Sequence, residues 1–263
     1  MNILSKTLFI PFYFKYKESV GEKNIYDAEA VKFFSDNKNR DIINFSELDK
    51  DKNSFTGVIS RTMLIDDYLR KILEDKEKKF NVFNVGCGLD CRNKRLSLSN
   101  VTWTNIDLPE VIEYRNNILP LQPNEKNISA DITKTAEWDF IPFENNIFIF
   151  EGILMFFEEE KIKELLKNLV KKSKTSWFII ESSPNFSDIK HPSVSSISSE
   201  IKFKWGCNDI KSFAEKIDME YIGSRRMEEL LKDRWDYSFF DKLGPEIRDH
   251  IVSNCRITLL KNK

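Results

Sequence analysis

NVFNVGCGLDCR, residues 81–92, and WTNIDLP, residues 103–109, decide how this chain is read. The first is a short apolar run that stops at Gly86-Cys87-Gly88. The second is another such run, stopping at an acid, Asp107, about 20 residues later. A strand that ends in a glycine turn lets a ligand approach the backbone closely. A carboxylate at the tip of the neighbouring strand can accept hydrogen bonds from both hydroxyls of a ribose. Together they predict an adenosine-type cofactor at the carboxyl ends of a parallel sheet.

The glycine spacing separates two such cofactors. A dinucleotide site carries G-x-G-x-x-G, whose third glycine lets the helix close onto the strand beneath a pyrophosphate. Here Cys91 holds the third position, and Asp90 stands where a pyrophosphate would be repelled. The turn suits a ligand without phosphates, S-adenosylmethionine, whose amino-acid end is zwitterionic and whose sulfonium is positive. An NAD-dependent oxidoreductase fits it poorly.

Composition agrees with an enzyme-sized α/β unit. At 263 residues, one sheet with helical additions is expected rather than two domains. Hydrophobic residues make up 41% and include 21 Phe, enough for a sizeable core. The 41 basic and 42 acidic residues nearly cancel, which argues against a surface built for nucleic acid. Cys87, Cys91, Cys207 and Cys255 form no C-x-x-C pair, and there are only two histidines. No metal site is expected, and reduced thiols in a cytosol are the simplest account. TLFIPFYF at 7–14 is broken by Pro11 and followed at once by lysines, unlike a signal peptide. No run approaches the ~20 apolar residues that span a bilayer. A soluble, cytoplasmic protein without a membrane partner is expected.

Periodicity divides the chain into four parts. Residues 1–79 read as a helical cap, with helices at 27–36 and 57–76. Residues 80–182 alternate strands at 80–85, 101–106, 128–132, 146–154 and 176–182 with helices at 109–119 and 158–174. That alternation predicts a parallel, doubly wound sheet. Residues 183–206, with Pro184, His191, Pro192 and a serine-rich run, read as a lid or acceptor region. The remainder, 207–263, predicts a helix at 208–217 capped by Asn208 and two closing strands at 219–224 and 255–261.

NVGCGLDCR, IDLPEVIEYR, ADI and FEGILMFFEEEKIKELL, taken together, resemble the leucine carboxyl methyltransferase family. Within it, the likeness is to the bacterial small-molecule branch associated with polyketide O-methylation. It extends to TLFIPFYFKYKES at 7–19, to the helix carrying Arg61-Thr62 and to FKWGCND at 203–209, and so covers nearly the whole chain. The resemblance implies a class I S-adenosylmethionine-dependent methyltransferase fold. That fold is a seven-stranded, mostly parallel, doubly wound sheet with an antiparallel C-terminal strand and an N-terminal helical addition.

The same resemblance assigns the cofactor residues. Gly86 and Gly88 would pass beneath the methionine part, and Asp107, with Leu108 beside it, would bind the ribose. Asp131 and Ile132 would flank adenine, Glu151 would hold the ammonium, and Arg61 would clamp the carboxylate with its planar guanidinium. Without the resemblance, Arg61 reads as a surface residue of an amphipathic helix and Asp131 as a turn or cap. Glu151 ends an apolar strand, where an unpartnered carboxylate is costly and calls for a ligand or a cation. Asp90 and Arg92 read as organisers of the turn, and Cys87 as a small turn residue. Neither His191 nor His250 is assigned to chemistry.

A sulfonium already carries an activated methyl group, so a carboxylate acceptor, ionised at neutral pH, needs no general base. No catalytic residue is therefore assigned. Many relatives carry Tyr where this chain has Phe156, which keeps the ring and loses the hydroxyl. Phe156, Trp205 and the 183–206 region are expected to line an apolar acceptor cavity. Three readings stay open: O-methyl transfer to a small carboxylate or hydroxyl compound, methylation of a protein carboxyl terminus, and a non-catalytic cofactor-binding module of the same fold.

Overall fold

Strand order places the site in this molecule. A computed structural model describes residues 4–36, 39, 42–184, 194, 197–198, 200–242 and 254–263. Its strands are β1 (Phe80–Val85), β2 (Val101–Asp107), β3 (Glu125–Ser129), β4 (Asn146–Phe150), β5 (Ser176–Ser182), β6 (Met219–Arg226) and β7 (Arg256–Asn262). They form one sheet in the order β3-β2-β1-β4-β5-β7-β6. Neighbours from β3 to β5 pair in parallel, and β7 runs antiparallel to both β5 and β6. The order reverses between β1 and β4, and such a reversal opens a crevice beyond the carboxyl ends of the strands.

The helices used below are α1 (Phe9–Val20), α2 (Ala28–Ser35), α3 (Phe45–Leu48), α4 (Lys52–Ile72), α5 (Arg92–Arg95), α6 (Pro109–Ile118), α7 (Glu159–Lys172) and α8 (Ile210–Lys216). Central strands are apolar on both faces because both faces are covered. Phe83, Val85, Phe148, Phe150, Phe178 and Ile180 pack on one side with residues of α7 and α8. Phe80, Val82, Ile147, Ile149 and Ile179 pack on the other with Leu64, Ile65, Tyr68 and Leu69 of α4. Each large side chain buried this way contributes roughly 1.5–3 kcal/mol of transfer free energy. The apolar run at 7–14 belongs to this packing: Phe9, Phe12 and Phe14 of α1 are buried. Pro11 falls in the first turn of α1, where a missing N–H costs nothing. No helix among the described residues is long and apolar enough to cross a membrane.

Several boundaries differ from expectation, among them the helix expected at 57–76, which spans Lys52–Ile72. The third strand spans Glu125–Ser129 rather than 128–132. It stops because the Ala130 N–H donates to the Asp107 carbonyl at 3.0 Å and Asp131 caps a 3-10 turn, Ile132–Glu137. The fourth strand ends at Phe150, leaving Glu151 and Gly152 beyond it. The helix expected from 208 begins at Ile210, and Asp209 caps it through the Ser212 N–H at 3.0 Å, not Asn208. In the 183–206 region, Val194, Ile197, Ile201 and Phe203 pack with Ile10, Phe14 and Val58 of α1 and α4. His191, Pro192 and His250 lie outside the described residues.

The helix carrying Arg61 starts at Lys52 because Asp51 caps it, accepting from the Ser54 N–H at 3.0 Å and the Ser54 hydroxyl at 2.6 Å. Asp51→Ala should lower unfolding free energy by about 1 kcal/mol, whereas Asp51→Asn should stay near wild type. Chemical denaturation of the three proteins checks this; equal losses in both variants would mean that charge, not capping, matters at Asp51.

Candidate active site

Three glycines in the left-handed region form the floor of the crevice: Gly86 at φ +68°, Gly88 at φ +48° and Gly152 at φ +68°. Gly86 is also sterically obligatory, since a Cβ there would lie 2.7 Å from Ile153 Cγ1. Both backbone polar groups of Gly88 are held. Its N–H donates to Asp107 Oδ2 at 2.8 Å, and its carbonyl accepts from Arg115 Nη1 at 3.1 Å. The second Asp107 oxygen accepts the Leu108 N–H at 2.8 Å. Burial pushes the Asp107 carboxyl up, and these two N–H donors partly offset it. Asp107 thus keeps a lone pair on each oxygen for a further donor.

Beside this floor lies a buried charge network. Arg61 donates from Nε to Glu151 Oε1 at 3.1 Å and from Nη1 to Glu181 Oε1 at 3.0 Å. Its Nη2, which makes no hydrogen bond among the described residues, lies 3.2 Å from where a Gly152 Cβ would stand. The Gly152 N–H donates to Glu181 Oε2 at 2.6 Å. Arg92, wholly buried, reaches Asp66 at 2.7 Å, Asp90 at 2.6 Å and Glu151 Oε2 at 2.6 Å. Lys15 of α1, also buried, pairs with Asp90 at 2.6 Å, and Arg95 pairs with Asp66.

The four cations Lys15, Arg61, Arg92 and Arg95 therefore face the four anions Asp66, Asp90, Glu151 and Glu181. Burial raises Glu151, but Lys15, Arg92 and Arg61 outweigh it and hold the carboxyl down at about 2. Asp90 is held below the usual carboxylate range in the same way, burial being overcome by Arg92, Lys15 and Arg95. For Glu181 burial wins over Arg61, and its carboxyl is raised. A zwitterion entering here adds one charge of each sign and leaves the balance intact.

Over the floor and network lies a cavity of about 990 Å³. Arg61, Gly86, Gly88, Asp107, Leu108, Asp131, Ile132, Glu151 and Phe156 all line it, so the structure brings together every expected cofactor residue and one of the two expected acceptor aromatics. Asp131 keeps its cap role as well, accepting from the Thr133 N–H at 2.8 Å and hydroxyl at 2.7 Å. Trp205, expected in the acceptor cavity, lies elsewhere. It is buried in the core against Phe213, ring centroids 5.4 Å apart, and is absent from the cavity wall. The aromatic partner of Phe156 is Phe203, at 5.5 Å and edge-on.

Lys15, Glu181 and Trp235 are among the wall residues that escaped the sequence reading. Lys15 was legible as a cation on the apolar face that Leu8 and Phe12 share at helical spacing. Glu181 ends an apolar strand, SWFIIES, as Glu151 follows another. Trp235 lies in a stretch between the last two strands with no periodic pattern. Cys87 lines the cavity, but its thiol is buried and pushed up, so it is no nucleophile.

The sheet order, the antiparallel β7 and the glycine-and-acid floor at the reversal point define a class I methyltransferase fold. Two crystal structures share it over nearly the whole chain. One, from Thermobifida fusca YX and designated a methyltransferase, is 14% identical with a TM-score of 0.56, covering 95% of this chain and 93% of that one. The other, magnesium protoporphyrin IX methyltransferase (ChlM) from Synechocystis PCC 6803 with bound SAH, is 11% identical with a TM-score of 0.51, covering 94% and 97%. The chain belongs to the leucine carboxyl methyltransferase family, whose model matches residues 16–170. S-adenosylmethionine is accordingly the cofactor. Among curated proteins, the tetracenomycin polyketide synthesis O-methyltransferase TcmP of Streptomyces glaucescens is 30% identical over 93 residues, 34% of either chain. The match thus spans about a third of that relative.

A carboxyl whose folded value is depressed stabilises the protein above its unfolded value and loses that contribution as pH falls. For Glu151 the window runs from about 4.5 down to about 2. Glu151→Gln should cost about 3–5 kcal/mol at neutral pH by leaving Arg61 and Arg92 short of a counter-charge. The gap to wild type should close as pH falls through that window. Thermal unfolding of both proteins against pH tests this, and a gap independent of pH would show that Glu151 is not held ionised.

Proposed function

We propose that this chain transfers a methyl group from S-adenosylmethionine to the carboxylate of a small organic acid. What carries the acceptor half is that the acids lining the cavity already have donors of their own. Asp90 is held by Lys15 and Arg92, Glu151 and Glu181 by Arg61, and Asp107 by two backbone N–H groups. Asp131 is held by Thr133 and Asp236 by Ser238. Asp90 and Glu151, held below the usual carboxylate range, are poor proton acceptors, Glu181 is taken up by Arg61 and the Gly152 N–H, and a substrate that arrives ionised requires no base. TcmP, an O-methyltransferase by name, supports oxygen as the receiving atom and a small molecule as the acceptor.

In this reading Asp107 accepts from the ribose hydroxyls with the lone pairs that Gly88 and Leu108 leave. Asp131 and Ile132 flank adenine, while Gly86 and Gly88 let the methionine part lie close to the backbone. Arg61 Nη2 takes the cofactor's carboxylate, and Glu151 takes its ammonium. When bound, the cofactor supplies a methyl group activated by its sulfonium. The side chains of Ile10, Val58, Met155, Phe156 and Phe203 exclude water from the acceptor carboxylate and orient it. Desolvation makes the carboxylate a better nucleophile, and the apolar wall keeps it in line.

Asp107→Ala should weaken S-adenosylmethionine binding by about 1.5–3 kcal/mol through loss of charge-assisted hydrogen bonds. Calorimetric titration measures it; an unaltered Kd in a folded variant removes the ribose assignment. The acceptor is tested by labelled-methyl transfer to a panel of small carboxylic acids, matched phenols and alcohols, and a peptide ending in leucine. Base-labile methyl esters of small acids are the expected product. Phe156→Tyr should change acceptor kcat/KM and leave cofactor affinity as it is. Label appearing only on phenols, or only on the peptide, would overturn the proposal.

A further inference from the structure

The cavity continues past the residues assigned to the cofactor. Those residues stand over β1, β2, β3 and the end of β4; beyond them the wall passes over β5 and β7, where Gly57, Met227, Trp235 and Cys255 line it. Trp235 is half-buried, and its segment is fastened from several sides. Its Nε1 donates to the Leu230 carbonyl at 3.0 Å. Asn53 in the first turn of α4 pairs both ways with the Asp236 backbone, donating to its carbonyl at 2.9 Å and accepting from its N–H at 2.8 Å. The Thr56 hydroxyl donates to the Arg234 carbonyl at 3.3 Å, and the Arg234 guanidinium lies 4.7 Å over the Phe55 ring. The indole is thus a rigid part of the wall.

Gly57 faces that indole from inside α4. A glycine in a helix interior is destabilising relative to alanine, so its presence needs a reason. The backbone supplies none, because Gly57 is not among the residues with positive φ. Packing supplies none either: a Cβ there would meet Trp235 Cη2 at 3.6 Å, an ordinary van der Waals contact. Among the described residues, what the missing methyl leaves is open space at the edge of the indole, on the cavity side. Arg61 stands one helical turn further along the same face.

We infer that Gly57 and Trp235 form a slot for a planar ring, which makes the acceptor an aromatic acid. The acid half rests on the carboxyl-transfer reading above; the ring half rests on Gly57 and Trp235 alone. A flat ring enters where a methyl group would stand and meets a preordered indole, so the aromatic contact is gained without freezing a mobile side chain. A flexible aliphatic chain of equal size loses its own rotational freedom and gains no such contact.

The test uses the full chain saturated with S-adenosylhomocysteine, titrated with 2-naphthoic acid, decanoic acid and 2-naphthol. Wild type should bind 2-naphthoate about tenfold more tightly than decanoate, the scale of one good aromatic contact. Gly57→Ala should raise the melting temperature and leave S-adenosylhomocysteine affinity unchanged. It should weaken 2-naphthoate by about tenfold and decanoate far less. Trp235→Leu should bring the two acids to similar affinity. Equal binding of both acids by wild type, or a Gly57→Ala variant that holds 2-naphthoate as well as wild type, overturns the slot. Methylation separates the two halves. If 2-naphthol is methylated in place of 2-naphthoate and Gly57→Ala still suppresses it, the slot stands and the carboxyl reading falls. If 2-naphthoate is methylated and Gly57→Ala has no effect, the slot falls and the carboxyl reading stands.

Discussion

Arg61 sits between two buried acids, Glu151 from the end of β4 and Glu181 from the end of β5, and the geometry of the crevice follows from that arrangement. Moving a charge from water into a protein interior costs several kcal/mol even after relaxation, so each buried ion must keep a partner. Glu151 meets this need twice, since Arg92 holds its other oxygen, and Arg92 in turn ties in Asp66 and Asp90. Asp90 draws Lys15, and with it α1, down onto the glycine turn. One requirement, that no charge be left unpaired, thereby joins α1, α4, α5, β4 and β5. Such networks are weak sources of net stability. Their effect here is to hold the Arg61 guanidinium in one plane beside Gly152.

Sheet topology divides the labour of the cavity. The β1–β3 side presents glycines and acids, groups that meet hydroxyls, amines and a backbone-close ligand. Past Glu181, the β5–β7 side presents Cys255, Met227 and Trp235, groups that meet apolar surface. Glu151 and Arg61 mark the border, at the point where strand order reverses. A site that must hold a polar cofactor beside a dehydrated acceptor needs two such environments in contact, and the doubly wound order supplies them without any insertion in the core.

How much of this was legible depended on whether a residue's role is local. The β1 and β2 runs, the glycine turn and Asp107 are local patterns, and they stand where the sequence puts them. The third strand was misplaced because ISADI reads as extended, while the true boundary is set by a hydrogen bond from Ala130 to Asp107, residues far apart in sequence. Trp205 was assigned to the cavity on residue type, but it packs inward on Phe213 of α8 while Phe203, two residues before it, lines the cavity, and an aromatic residue looks the same in sequence on either side of a wall. Glu181 and Lys15 carried a signal, charge on an apolar element, that identifies burial without naming the partner. Trp235 carried none, because its place depends on Asn53 and Thr56, residues from the opposite end of the chain.

The even count of buried charges also limits how such a chain can diverge. Loss of any one member strands its partner in a dry interior, a penalty on the order of 3–5 kcal/mol, a large share of the stability of an ordinary domain. Once that partner is also replaced by an apolar side chain of similar volume, much of the penalty disappears. The effects of substitutions at Arg61, Glu151, Glu181, Arg92 and Asp90 are therefore strongly non-additive. Such positions change together or not at all, and a lineage that lost the reaction would be expected to lose these ions as pairs.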